Sequence, residues 1–205
     1  MRPMTLAAAA LATTLSLGVA NAASLDIPSG TYAMDPTHAS LTWRIKHLGL
    51  SNYTARFTSF NATVNLNAED VSQSSMTATI DPTSVTTDYP FAANKDFDAE
   101  IAGAKIMNAP EFPEISFTST AIEVTGDNTA TITGDLSMRG FTVPVTLDAT
   151  LNGTLGKHPF VDGAAFGISA TGTVSREAVG DTFLTGQVLE DTVEVIIEAE
   201  FVEQK

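Results

Sequence analysis

The sequence predicts an all-β domain, an antiparallel barrel or sandwich, and three observations predict it. At least eight segments alternate apolar and polar residues with period two. Turn pairs such as Asp81-Pro82, Arg139-Gly140 and Asn152-Gly153 separate them. Only one stretch, residues 95–109, breaks the alternation at length. Successive side chains of a strand point to opposite faces, so period two marks strands with one buried and one wet face. Many short strands in a single domain make a barrel or a sandwich.

The first strand is the most telling. Ala39, Leu41, Trp43, Ile45 and His47 share one face, and Ser40, Thr42, Arg44 and Lys46 the other. The pattern restarts at Tyr53, Ala55 and Phe57, so the stretch around Gly49 is a hairpin turn and Asp35 to Phe60 a strand pair. Its inward face carries the single Trp of the chain. Ala62, Val64 and Leu66 mark a third strand, and Met76, Ala78 and Ile80 a fourth that stops at Asp81-Pro82. Ile115 and Phe117 open the next, which continues through Ile122 and Val124 past a bend at Ser119-Thr120.

Ile132, Gly134, Leu136 and Met138 lead into the Arg139-Gly140 turn, and Val143, Val145, Leu147, Ala149 and Leu151 run from it to Asn152-Gly153. Residues 153–159 are rich in turn formers and predict a mobile loop. Phe166, Ile168, Ala170, Gly172 and Val174 follow, and Val193, Val195, Ile197, Ala199 and Phe201 form the cleanest strand. In residues 95–109, Phe97, Ile101, Ala104 and Lys105 have helical spacing behind Asp96 and Asp98. They predict one or two short helices, interrupted near Gly103, serving as a lid or plug. Small inward residues, among them Ala55, Gly134, Ala170 and Gly172, favour an internal cavity over a solid core.

Residues 1–22 read as a secretory signal peptide: a positive start at Arg2, an apolar run from Leu6 to Val19 and a small-x-small site at Ala20-Asn21-Ala22. The run is shorter than the ~20 residues a membrane span requires. The remaining residues, 23–205, are expected to form one soluble domain exported to a bacterial periplasm, without stable membrane insertion and as a monomer or homodimer. The formal net charge of −14 argues against nucleic acid, which binds through Lys and Arg. The absence of cysteine excludes disulfides, thiol catalysis, cysteine metal sites and a lipoprotein anchor.

Four segments carry a resemblance when taken in order: Tyr32 to Phe57, Phe112 to Thr120, Thr133 to Gly153 and Phe166 to Gly180. Behind a signal peptide, this set resembles the YceI-like family of polyisoprenoid-binding periplasmic proteins. The resemblance implies an extended, lipocalin-like antiparallel barrel of about eight strands with helical elements near its mouth. It also implies a long amphiphilic ligand, an isoprenoid quinone or a polyprenyl phosphate, held in an apolar tunnel, and no other cofactor. Three stretches depart from the family pattern. Glu100 stands where the family often has His, Ile106-Met107 replaces an aromatic pair, and Arg176-Glu177-Ala178-Val179-Gly180 replaces Arg-Ser-Asp-Phe-Gly.

Inward parity together with this resemblance nominates the apolar cavity wall. Leu41, Trp43, Ile45, Phe57 and Phe60 come from the first strands, and Phe117, Leu136, Val145 and Leu147 from the middle ones. Phe166, Ile168, Val195 and Ile197 come from the last two. His47, Arg139 and Arg176 are the candidates for a lipid head group. No catalytic or metal-binding set is nominated. His38 and His47 are nine residues apart and would face opposite sides of an unbroken strand, and His158 falls in a loop. An enzyme using His38 or His47 is the alternative. An outer-membrane barrel is the weaker one, because the outward faces carry Thr, Ser, Glu and Asp instead of an apolar band.

Overall fold

Each predicted alternating run forms a strand, and every pairing between named strands is antiparallel. The computed structural model describes residues 24–205; the expected signal peptide lies outside them. The strands are β1 (Gly30–His47), β2 (Ser51–Phe57), β3 (Phe60–Leu66), β4 (Ser75–Ile80), β5 (Val85–Thr86), β6 (Ile115–Val124), β7 (Thr129–Met138), β8 (Phe141–Leu155), β9 (Ala165–Ser175) and β10 (Leu189–Glu203). One helix, α1 (Phe97–Ala102), and two 3-10 turns complete the set. The sheet order is β10-β9-β8-β7-β6-β4-β3-β1-β2-β5, and a further β10–β1 pairing closes an eight-strand barrel that leaves β2 and β5 as an extension.

The extension follows from the way β1 divides its edge. Gly30 to Ala33 pair with β3, whereas Leu41 to His47 pair with β2, while β10 follows β1 along its other side. The break between the halves is a bulge between Met34 and Ala39. Pro36 has no N–H to give to a ladder. The Asp35 carboxylate instead accepts from the Thr37 N–H (2.8 Å) and the Thr37 hydroxyl (2.7 Å), forming a side-chain turn. The bulge ends before Ala39, and from Leu41 to His47 the pairing with β2 runs without a shift. The two histidines therefore face opposite sides as expected: His38 projects outward at the bulge, and His47 ends the inward face.

Two turn readings differ in outcome. Arg139 (φ 55°) and Gly140 (φ 81°) both adopt the left-handed backbone of a tight hairpin joining β7 to β8. Asn152-Gly153 is not a turn. β8 runs through it to Leu155, with a register shift between Leu151 and Gly153, because a glycine inside a strand readily takes up a bulge.

Residues 87–114 cross from β5 to β6 over the end of the barrel where β1 finishes. The Asp96 carboxylate caps α1 by accepting from the Ala99 N–H at 2.9 Å, and the helix ends at Gly103 as expected. The chain then folds back on it: the Met107 N–H donates to Ile101 O at 3.1 Å and the Ala109 N–H to Ala102 O at 2.9 Å. This is a single short helix followed by turns. Trp43, Ile45, Ile101, Met107 and Ala109 form an apolar cluster beneath it. The opposite end is closed by packing around Tyr32, Phe166 and Phe201, the last two rings stacked at 5.1 Å.

Candidate ligand cavity

Between the packed end and the α1 segment lies a cavity of about 530 Å³, within the usual range for small-molecule sites. β1 contributes Leu41, Trp43, Ile45 and His47, and β2 contributes Tyr53 and Phe57. Phe60, Phe117, Leu136, Val145 and Leu147 complete one wall, and Ile168, Val195 and Ile197 the other. Phe97, Ile101, Ile106 and Met107 form the roof. Strand parity puts the wall residues inside; the two folded-back turns of residues 97–109 supply the roof.

Of the sequence-predicted apolar residues, Phe166 alone is placed elsewhere. It packs between Tyr32 (5.2 Å) and Phe201, and it lines a second, smaller cavity of about 110 Å³ at the closed end. The two inward glycines also do a different job from the expected one. A Cβ at Gly134 would collide with the Phe117 ring, and one at Gly172 would lie 2.6 Å from Leu147 Cδ2. Both glycines accommodate large neighbouring side chains, and the open volume lies elsewhere.

The two arginines are committed to the protein. Arg139 lies off the cavity wall and donates to Val179 O (3.1 Å), Gly180 O (3.0 Å) and Ile106 O, tying the roof to the β9–β10 connection. Arg176 reaches the wall, but its Nε donates to Asp181 Oδ2 at 2.9 Å and both side chains are about 5% exposed. Its remaining donors go to the Thr185 hydroxyl (2.9 Å) and Phe183 O (2.7 Å). The Phe183 N–H occupies the other oxygen of Asp181 at 3.1 Å. The charge is neutralised locally, which explains why Arg176 tolerates burial against an apolar space. His47 is half-buried at the mouth, on the cavity wall.

Sequence reasoning passed over several lining residues. Tyr53 and Val193 have the same inward parity as their nominated neighbours. Phe97 and Ile101 were marked by helical spacing but only as a lid. Val179 and Asp181 carry no local signal, because the β9–β10 connection brings them to the wall.

Among the described residues, Trp43 Nε1 is the only buried side-chain nitrogen or oxygen without a hydrogen-bond partner. One group of metal-ligating types also lies together, on the outer surface: Asp35, His38 and Glu200, with donor atoms within 4.8 Å of one another. His38 Nδ1 is 2.8 Å from Asp35 Oδ2. That hydrogen bond, helped by those from Thr37, holds the Asp35 carboxyl at about 2 and raises His38 above its ordinary value.

A family model described as the YceI-like domain matches residues 32–201. A UPF0312 protein of Pseudomonas putida strain GB-1 is 35% identical over 181 residues, covering 88% of each chain. Burkholderia cenocepacia BcnA superposes with a TM-score of 0.69 at 20% identity, over 82% of this chain and 98% of that one. A polyisoprenoid binding domain from Saccharophagus degradans, implicated in plant cell wall breakdown, superposes with a TM-score of 0.62 at 13% identity, over 84% and 98%. These structural likenesses each extend over more than four-fifths of the chain. With its closed antiparallel barrel, roofed apolar cavity and match over nearly all of the described residues, the chain belongs to the YceI-like family.

Proposed function

We propose that this protein binds a long isoprenoid lipid, of quinone or polyprenyl phosphate type, and carries it through the periplasm as a binding protein without catalysis. The observation that carries this reading is the roofed apolar cavity. Each buried CH₂ contributes ~0.8 kcal/mol, so a tail in contact with Leu41, Trp43, Phe57 and Ile197 binds firmly with few polar contacts. A site of this kind leaves no sharp motif in a sequence. The polyisoprenoid binding domain of S. degradans, similar in fold, supports the ligand class.

The mouth supports exchange with a lipid surface. Leu48 and Leu50 in the β1–β2 turn, Phe91 before α1, Phe141 after the β7 turn, and Phe183 and Leu184 in the β9–β10 connection are all exposed at this end of the barrel. No helix among the described residues is long and apolar enough to cross a membrane. In this reading His47 contacts the head group at the mouth, and the α1 segment opens to admit the tail.

Native mass spectrometry of the exported protein, followed by organic extraction, tests the proposal. A co-purified isoprenoid lipid is expected. A protein that carries no lipid and binds neither an isoprenoid quinone nor a polyprenyl phosphate would sink it. Size-exclusion chromatography with light scattering distinguishes monomer from homodimer.

A further inference from the structure

We infer that the indole N–H of Trp43 is the hydrogen-bond donor of the cavity, and that the ligand is an uncharged lipid whose carbonyl oxygen accepts from it. The inference rests on the reading of the barrel as a lipid site and narrows the class of lipid. Trp43 is 7% exposed and lines the cavity. Strand parity turns its ring inward between Leu41 and Ile45, opposite Val195 on β10 and Ala55 on β2. A buried Trp N–H ordinarily finds an acceptor, and this one has none.

The surroundings explain why the acceptor has to come from the ligand. The side chains clustered with the indole are apolar, Ile45, Ala55, Met107 and Val195, except for Tyr53, whose ring centroid lies 6.5 Å away and whose hydroxyl is turned to Thr87 O (3.5 Å) and not to the indole nitrogen. The backbone of β1 is engaged with β10 and β2 on its two edges. On the cavity wall, Asp181 has one oxygen on Arg176 and the other on the Phe183 N–H. A phenylalanine would fill the same inward position without leaving a donor unpaired. The nitrogen is covered by its neighbours, so an incoming group reaches it by a turn of the indole or a shift of the side chains beside it.

The same surroundings select against an anion at this depth. Arg176, the cation on the cavity wall, is already neutralised by Asp181, and Arg139 lies off the wall on three carbonyls. A phosphate drawn down to Trp43 would be desolvated against apolar side chains with no free positive charge beside it. A quinone, ketone, ester or amide oxygen needs only one neutral donor. A polyprenyl phosphate must instead keep its head in water at the mouth, away from the indole.

The test pairs two ligands with two proteins. Farnesylacetone and the hydrocarbon with a methylene in place of its carbonyl are each competed against a fluorescent apolar probe, on the wild-type chain and on Trp43→Phe. The substitution removes apolar contact from both ligands and the hydrogen bond from one, so it is expected to weaken the ketone roughly 3- to 10-fold more than the hydrocarbon. An equal effect on both ligands overturns the inference while leaving the lipid site intact. Failure of the wild-type chain to bind either ligand overturns the lipid site, and the inference with it.

A second readout needs no variant. The chain has one Trp, so the ¹⁵N-labelled protein gives a single indole cross-peak. That peak should move on adding farnesylacetone beyond any movement caused by the hydrocarbon or by farnesyl phosphate. An equal response to the ketone and the hydrocarbon overturns the hydrogen bond. An equal response to the ketone and the phosphate overturns the uncharged class.

Discussion

Arg176 and Asp181 form an ion pair at 2.9 Å inside the wall of an apolar cavity, with side chains 6% and 5% exposed. Removing one partner of such a pair leaves a buried charge with no compensation, which typically costs ~3–5 kcal/mol. Arg176→Met and Asp181→Asn are each expected to destabilise the fold by about that amount in urea unfolding. The double substitution should cost clearly less than the sum, because it removes both charges together. Additive losses would show that the two side chains act separately.

Arg139 holds the roof down. Its guanidinium joins Ile106 O in the α1 segment to Val179 O and Gly180 O after β9. Arg139→Ala should cost ~1–3 kcal/mol through the carbonyls it leaves unpaired. Hydrogen exchange should show the Met107 and Ala109 amides opening far more often, while those of β8 and β9 stay protected. Uniform loss of protection would mean that Arg139 supports the whole barrel and not the roof.

Gly134 makes room for Phe117. A methyl group there would meet the ring and the backbone carbonyl of Thr118. Gly134→Ala is therefore expected to destabilise by ~1–3 kcal/mol, the usual cost of overpacking. It should also push Phe117 further into the cavity, reducing the longest isoprenoid tail retained in native mass spectrometry. An unchanged tail-length profile would count against Phe117 as a wall of the tail site.

The Asp35–His38 pair gives the bulge a dependence on pH. The hydrogen bond from His38 is the main cause of the depressed Asp35 carboxyl, which sits at about 2 against an ordinary 3.8. Its contribution to stability is present above the ordinary value and is lost as pH falls toward 2. His38 is raised above its ordinary 6.5, first by the hydrogen bond to Asp35 and then by Glu200. Its contribution is full below 6.5 and is lost as pH rises through the folded value. The bulge is therefore tightest between these limits, with both groups charged. An NMR titration of His38 should show the upward shift, and Asp35→Asn should remove most of it. A shift that survived Asp35→Asn would assign the effect to Glu200.

Much of the fold was legible because β structure with one wet face writes itself into the sequence at period two. The runs Leu41–Trp43–Ile45 and Val193–Val195–Ile197 predicted both strand and facing, and nearly all the apolar residues nominated by parity line the cavity. Phe166 shows the limit of parity. It points inward like its neighbours, but at the closed end, where it packs against Tyr32 and Phe201. Arg139 and Arg176 show another: a charged residue at a turn reads the same whether it faces a ligand or several carbonyls. The distinction depends on partners such as Ile106 and Asp181, which periodicity does not bring into view.

By itself, the sequence determined the strands, their inward faces, the bend at Ser119-Thr120 and the break in period where α1 forms. Those are local properties, set by side-chain alternation, caps and turn residues within a few positions of one another. Closure was decided by tertiary structure alone. β1 meets both β10 and β3, the Pro36 bulge sends its upper half to β2, and the α1 segment covers the opening that remains. The volume of the cavity and the unpaired N–H of Trp43 were likewise decided there, because both depend on what residues distant in the chain bring, or fail to bring, to one point in space.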